Sequence, residues 1–231
     1  MKTQEKNFDG IKLSGFTAIL IMLALTGTAI YLLSLPQTPS IIAGVICGIC
    51  VVVMLPGFMI IQPNNSRVLT FFGRYAGTVI SNGFYWVNPL FLKSTVTLRI
   101  LNLNIDPIKV NDKVGNPIMI GAVVVWRIKD TYKASFDISG NIREFVQIQS
   151  DAALRQVAGM YAYDTNETID KVTLRSDESG EITQRLEDEL NSRLAIAGIE
   201  IVEARINYLA YASEIASVML RRQQADAIIS A

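Results

Sequence analysis

Side chains that usually carry chemistry are scarce in this 231-residue chain, and the scarcity narrows what it can do. There is no histidine, which removes the commonest general base and the commonest metal ligand together. Cys47 and Cys50 form a C-x-x-C pattern, a spacing that suits thiol redox chemistry or half a zinc site in a soluble protein. Here they lie one helical turn apart within an uncharged apolar stretch, with no second pair, and read as two small apolar residues. That depth also argues against lipid attachment. Glu187-Asp188-Glu189 would offer paired carboxylates, but consecutive helical positions point in different directions, so they read as a solvated face. A membrane-embedded hydrolase would place serine or aspartate in mid-span, and only Thr26 and Thr28 stand there. With no nucleophile–base set, no phosphate-cradling glycine loop and no metal cluster, we expect no catalytic, metal or cofactor site. Lys plus Arg equals Asp plus Glu at 21 each. With no basic run either, a nucleic-acid-binding face is not expected.

The elements that organise the chain are two apolar stretches near the N-terminus. They run from about Phe16 to Leu35 and from about Ile41 to Ile61, without a charged residue in either. Each is long enough for a helix to cross a ~30 Å hydrocarbon core. Backbone amides in lipid must be satisfied within the segment, so both are predicted helical, with Pro36-Gln37-Thr38-Pro39-Ser40 as the turn. Pro56-Gly57 reads as a tolerated kink near the end of the second span. Lys2, Lys6 and Lys12 precede the pair and Arg67, Arg74 and Lys93 follow it, while the connecting loop is uncharged. By the positive-inside rule both flanks are cytoplasmic. A cleaved signal peptide fits less well, because the first stretch is too long and lacks a small-x-small site before Pro36.

The remaining chain, about 170 residues, suffices for one or two small domains. Residues 1–15 read as a short mobile tail. Ser66–Tyr75 reads as a strand, closed by Gly73 and a turn near Gly77. Gly83-Phe84-Tyr85-Trp86-Val87-Asn88-Pro89 is an aromatic cluster. So soon after a span, Phe84, Tyr85 and Trp86 fit the headgroup level; packing inside a small β domain is the alternative. Val96–Ile100 and Leu103–Val110 are further strands, the second placed at an edge or bulged by Pro107. After the turn Asn111–Asn116, the apolar run Ile118–Ile128 reads as a strand buried on both faces.

The pattern then becomes helical. Asn141 caps a helix through about Met160, with Val146, Ser150, Ala153, Val157 and Met160 on one face. Ser176 is the candidate cap of a helix from Asp177 to Ala197, carrying Ile182, Leu186, Leu190 and Leu194. Its pairs Glu181–Arg185 and Glu189–Arg193 fall at i,i+4, and Gly198 ends it. Ile199–Tyr208 alternates, with Val202, Ala204, Ile206 and Tyr208 on one side and Glu203, Arg205 and Asn207 opposite. A small-residue helix with Ala212, Ala216 and Ala225 starts at Tyr211. It shows no stop signal, so it is expected to continue past Ala231. Asn64-Asn65-Ser66 and Asn166-Glu167-Thr168 fit the glycosylation pattern, but a cytoplasmic domain would not meet that machinery.

Several of these segments together resemble the stomatin–prohibitin–flotillin–HflK/C family, also called SPFH or band 7. They are Pro63-Asn64-Asn65 with Phe72-Gly73-Arg74-Tyr75-Ala76-Gly77-Thr78, the block Gly83–Pro89, and Val110–Pro117 with Trp126–Asp130. Ala153-Leu154-Arg155, Glu214-Ile215-Ala216 and Arg221–Ala225 complete the set, so the likeness covers roughly residues 60–231. Two features depart from the family pattern: Val114 stands where its turn often has aspartate, and this chain has two full spans where many relatives have one or a shallow hairpin. The resemblance implies a non-enzymatic membrane scaffold whose copies assemble into a ring or cage through a long C-terminal coiled helix. Such assemblies organise a membrane patch, and some restrain FtsH-type membrane proteases, so a regulator or substrate gate of such a protease is the alternative role.

The resulting expectation is an α+β, membrane-anchored chain. It has a tail (1–15), a transmembrane helical hairpin (16–61) and a β-rich mixed or antiparallel SPFH subdomain (62–135). A helix–helix–strand subdomain (136–210) and the start of a C-terminal oligomerisation helix (211–231) follow. Expected partners are membrane lipids, further copies of the chain, and an FtsH-type protease or other membrane proteins. Phe84, Tyr85 and Trp86 are candidates for the membrane interface. Arg155, Glu203, Arg205, Ala212 and Ala216 are candidates for contacts between protomers.

Overall fold

The apolar N-terminal stretches fold as a helical hairpin in the computed structural model, which describes residues 4–164, 172–176, 180–215 and 221. Helix α1 spans Gly15–Ser34 and α2 spans Thr38–Met54. Both are long and apolar enough to cross a membrane, and their side chains are largely uncovered by protein. Polar hydroxyls inside α1 turn back on its own backbone: Thr26 Oγ1 donates to Met22 O and Thr28 Oγ1 to Leu25 O, both at 2.8 Å. That is how a hydroxyl is satisfied where no water is available. The helices approach closely at Gly44, where a Cβ would lie 2.9 Å from Leu33 Cγ and 3.1 Å from Ala29 O. Small residues permit this kind of packing.

Two boundaries differ from the sequence reading. The inter-helix turn is shorter than Pro36–Ser40, because α2 already starts at Thr38 with Pro39 in its first turn, a position where a missing N–H costs nothing. Pro56-Gly57 ends the helix instead of kinking it. A single 3-10 turn, Leu55–Gly57, leads directly into strand β2, Phe58–Ile61.

The chain divides into two compact units, Met1–Arg99 and Ile100–Ala231. Beside the helices, the first unit holds β1 (Lys12–Ser14), β2, β3 (Asn65–Phe71), β4 (Arg74–Val79), β5 (Gly83–Val87) and β6 (Phe91–Thr97). These form two antiparallel sheets, ordered β1-β5-β2 and β4-β3-β6. Met59, Ile61 and Val87 from one sheet meet Leu69 and Val79 from the other in a shared core, with Phe8, Ala76, Tyr85 and Phe91 packed around it.

The second unit holds β7 (Leu101–Asn111), β8 (Pro117–Ile128), α3 (Thr131–Phe136), α4 (Ile142–Ala158), α5 (Glu181–Leu194) and β9 (Ile199–Tyr211). Its sheet is antiparallel with β8 in the middle. The hairpin Leu101–Ile128 therefore belongs with the helices and β9, whereas the sequence division at residues 135/136 separates them. The side chains of Ile118, Ile120, Ala122 and Val124 are fully buried, as are Leu154 of α4 and Leu186, Leu190 and Leu194 of α5. Alternate residues such as Met119, Val123 and Val125 are only half-buried, so the run is a one-faced strand and not one buried on both faces. Pro107 sits where expected, on an edge strand, with the register shifting between Ile105 and Ile108.

Asn141 caps α4 by accepting from Arg143 N at 2.9 Å. Asp130 does the same for α3 through Lys133 N at 3.0 Å. Helix α5 begins at Glu181 behind Gly180, so Ser176 is not its cap; Asp177 lies outside the described residues. Of the two i,i+4 pairs on α5, Glu189–Arg193 forms at 2.7 Å, while Glu181 accepts from the Tyr161 hydroxyl at 3.4 Å.

One carboxylate in this unit is poorly placed. Asp151 on α4 has a buried Oδ1 without a hydrogen-bond partner. Burial pushes its pKa up, Arg155 opposes that, and Asp106 of β7 adds to it. A pKa raised on folding favours the protonated form, so the stability it contributes is present below the unfolded carboxylate pKa and is lost as pH rises through the folded value. Asp151→Asn is therefore expected to melt higher than the parent at neutral pH. The gap should close as pH falls towards the ordinary carboxylate range, near about 4, in circular-dichroism melts across that interval.

Candidate membrane and assembly surfaces

The strongest local construction lies at the foot of the helical pair. Strand β1 leads into α1, β2 leads out of α2, and both pair with β5: Lys12 faces Val87, Ser14 faces Tyr85, Phe58 faces Trp86 and Ile61 faces Gly83. Before β1, the chain runs along the free edge of β4. Phe8 N donates to Thr78 O at 3.0 Å, Thr78 N donates to Lys6 O at 2.9 Å, and the Tyr75 hydroxyl reaches Lys6 O at 3.2 Å. The Phe8 ring meets Phe91 edge-on at 5.3 Å. Residues 4–14 are thus an ordered arm bonded to both sheets, not a mobile tail. Composition misled here, because backbone pairing asks nothing of the polar side chains that make the segment look like a tail.

Alternation along β5 sorts the aromatic candidates. Tyr85 points into the shared core, with its hydroxyl on Asn82 O at 3.1 Å and Lys12 Nζ 4.7 Å from its ring centre. Phe84 and Trp86 point the other way, towards the helix ends. Phe84 stacks on Phe58 at 5.5 Å and meets Phe16 edge-on at 5.5 Å. Trp86 Nε1 donates to Met54 O at 2.9 Å, satisfying a carbonyl that the end of α2 leaves free. Lys93 Nζ does the same for Pro56 O and Phe58 O, a favourable place for a cation at a helix C-terminus. Burial lowers the Lys93 pKa, with Arg67 adding to the effect. The face carrying Phe58, Ile60, Phe84 and Trp86 has no charged residue, and Ile60 is 65% exposed.

In the second unit both sheet edges are protected. Pro107 and its bulge interrupt β7. Helix α5 covers β9 with two side chains one turn apart: Asn191 Oδ1 accepts from Ile201 N and Glu187 Oε1 from Ala204 N, both at 3.0 Å. Glu187, read from sequence as a solvated face, is in fact bonded to an edge amide that would otherwise be open to another strand. Two bulges in β9, opposite Gly121/Ala122 and Val125/Trp126, shift the alternation. Val202 and Tyr208 are therefore exposed while Ile201 and Ala204 are buried, correcting the predicted face.

The protomer-contact candidates separate accordingly. Arg155 is exposed on α4. Glu203 and Arg205 pair with one another on the open face of β9. Nearby, Glu200 accepts from both Lys129 and Arg127 at 2.7 Å, and those two bonds hold its carboxyl below the usual range. Sequence reading missed this cluster because it depends on cross-strand register. Ala212 is buried within its own chain and donates to Pro117 O at 3.0 Å, so it is not available to a neighbour. Ala216 lies outside the described residues.

Asp112 organises the end of the sheet near Tyr211, where β9 ends. Its carboxylate, nearly buried, accepts from Val114 N, Asn116 N, Asn116 Nδ2 and Tyr163 N at 2.7–3.1 Å. Tyr163 in turn packs against Tyr211, the rings tilted with centres 4.0 Å apart, and Lys109 pairs with Glu214 at 2.5 Å. The turn is thus held by Asp112, and the departure at Val114 leaves it intact: Val114 is simply exposed at the tip.

A paired apolar helix hairpin with a small two-sheet unit at its foot, and a helix-covered three-stranded sheet as the second unit, define an α+β chain. The model of the SPFH domain / Band 7 family matches residues 59–231, and the chain belongs to that family. Comparison with curated proteins gave no match.

The arm's seat depends on Gly77. Its φ is +142°, and a Cβ there would lie 2.7 Å from Phe8 Cα and 2.9 Å from Phe8 N. Gly77→Val is expected to lift the arm while β3, β4 and β6 stay paired. Hydrogen exchange at Phe8 and Thr78 should accelerate by at least ~10-fold, the factor that loss of about 1.4 kcal/mol of local protection implies.

Proposed function

We propose that this protein is a non-enzymatic scaffold, anchored by two membrane-crossing helices, that assembles in multiple copies and organises a patch of membrane and the proteins within it. The observation that carries the reading is the joining of both ends of the helical pair to β5. An anchor built into a folded sheet unit can hold that unit at the bilayer in a set orientation, as a scaffold requires. Membership of the SPFH family supports the same reading. In this reading Phe84 and Trp86 lie at headgroup depth, where the amphipathic indole of Trp86 is favoured. Glu203, Arg205 and Arg155 remain the candidates for contacts between copies. Exposed ion pairs are worth about 0–1 kcal/mol each, so they would matter only through repetition around an assembly.

Both flanks of the hairpin carry Lys and Arg and its loop carries none, so both chain ends are assigned to the cytoplasm. In a background with Cys47 and Cys50 replaced by alanine, Gln37→Cys is expected to react with an impermeant thiol reagent added outside cells. Ser139→Cys, exposed on the connection between α3 and α4, is expected to stay unreacted until the membrane is opened. The reverse pattern would invert the topology.

Assembly is assigned to the segment that follows Ile215. A lone helix of that length is marginal in water and gains stability by packing against copies of itself. Removing residues 216–231 spares Tyr211, Ala212 and the Lys109–Glu214 pair, and should leave the folded units intact while reducing a large oligomer to small species. Mass photometry in mild detergent decides this. An unchanged large mass after truncation, or a monomeric full chain, would remove the role given to the segment.

A further inference from the structure

A formal charge of zero hides a division. The first unit, residues 1–99, has seven Lys and Arg against Glu5 and Asp9, a net of +5, and residues 100–231 consequently carry −5. From Gly10 to Ile105 there is no acidic residue. Within that cationic unit, two of the positive side chains share one face of the β3–β6 pair. Arg67 is opposite Thr95 and Lys93 is opposite Leu69, which makes Arg67 and Lys93 diagonal neighbours, typically ~7–8 Å apart between backbones and within reach of long side chains. Lys93 is anchored on Pro56 O and Phe58 O, where α2 gives way to β2. Trp86 holds Met54 O, two residues before Pro56. Both cations are half-buried. Like charges brought together with no carboxylate paired to either among the described residues raise the cost of each, and a bound anion removes that cost.

We propose that Arg67 and Lys93 form a binding site for the phosphate of an anionic phospholipid at the foot of α2. A guanidinium fork suits two phosphate oxygens, and an ammonium fixed beside it supplies the second charge. The site prefers an anionic headgroup to a zwitterionic one. A choline ammonium would bring a further positive charge into a unit that already carries +5. A glycerol headgroup leaves the phosphate charge uncompensated, and a serine headgroup offsets its ammonium with a carboxylate. The assignment rests on the reading that α1 and α2 cross a membrane, and it adds to that reading a lipid class and two residues.

The test uses the full chain reconstituted into phosphatidylcholine vesicles containing a trace of spin-labelled phosphatidylglycerol or spin-labelled phosphatidylcholine. The motionally restricted fraction of each label measures its association with the protein. The anionic label is expected to associate at least ~5-fold more strongly, the factor equivalent to about 1 kcal/mol per cation near an anionic surface. Arg67→Gln should bring the ratio towards one, Arg67→Lys should keep most of it, and Arg185→Gln on exposed α5 should leave it unchanged. Equal association of both labels with the parent protein overturns the proposal, as does a preference that survives Arg67→Gln. Displacement of the lipid label by millimolar inorganic phosphate would reassign the site to free phosphate and overturn the lipid assignment. Protein that fails to float with any vesicle overturns the membrane reading itself, and is separable because flotation is scored before the labels are compared.

Discussion

The spacing between β1 and β2 governs the first unit. Both pair with β5, so they stand two strand intervals apart, roughly 10 Å. Packed helices lie 8–10 Å axis to axis. The sheet therefore sets the ends of α1 and α2 at a separation the helices can keep along their length, and Gly44 lets them do so against Leu33 and Ala29. The loose ends of α2 are handled at the same place, where Trp86 and Lys93 take carbonyls that the 3-10 turn cannot satisfy. Removing any one of these contacts frees a polar group beside an apolar surface, where an unsatisfied hydrogen-bonding group costs about 1–3 kcal/mol.

The second unit solves a different problem. A three-stranded sheet has two edges, and an open edge recruits other strands indiscriminately. Proline and a bulge interrupt β7, and Glu187 and Asn191 of α5 occupy amides of β9. With its edges interrupted or occupied in this way, the sheet offers no long run of free strand amides to another chain. The Asp112 carboxylate, with four donors around it, fixes the turn and the point from which the C-terminal segment departs.

Much of this was legible in the residues. Uncharged runs of helical length identified α1 and α2, Asn141 announced α4, and the four-residue recurrence of Ile182, Leu186, Leu190 and Leu194 identified the buried face of α5. The ordered blocks from Pro63 to Ala225 pointed to the family that residues 59–231 match. What stayed hidden depends on long-range register. The arm at residues 6–8 pairs through backbone atoms, which leave no trace in side-chain pattern. The two bulges in β9 move Val202 and Tyr208 to the opposite face with no glycine or proline in β9 itself to mark them. The Arg67–Lys93 pairing required knowing that β3 lies beside β6, and the net charge of the whole chain concealed it.

The placement of β5 also orders events during synthesis. Arm, β1 and α1 leave the ribosome first, yet their partners Thr78 and Trp86 are made only after α2 is complete. Until then the N-terminal segment has no strand to join, and local helices form orders of magnitude faster than residues are added. The two apolar helices therefore form and pair before β5 exists, and closure of the sheet comes afterwards, as a latch on helices already made. A nascent chain stalled before Gly83 would carry both helices unlatched.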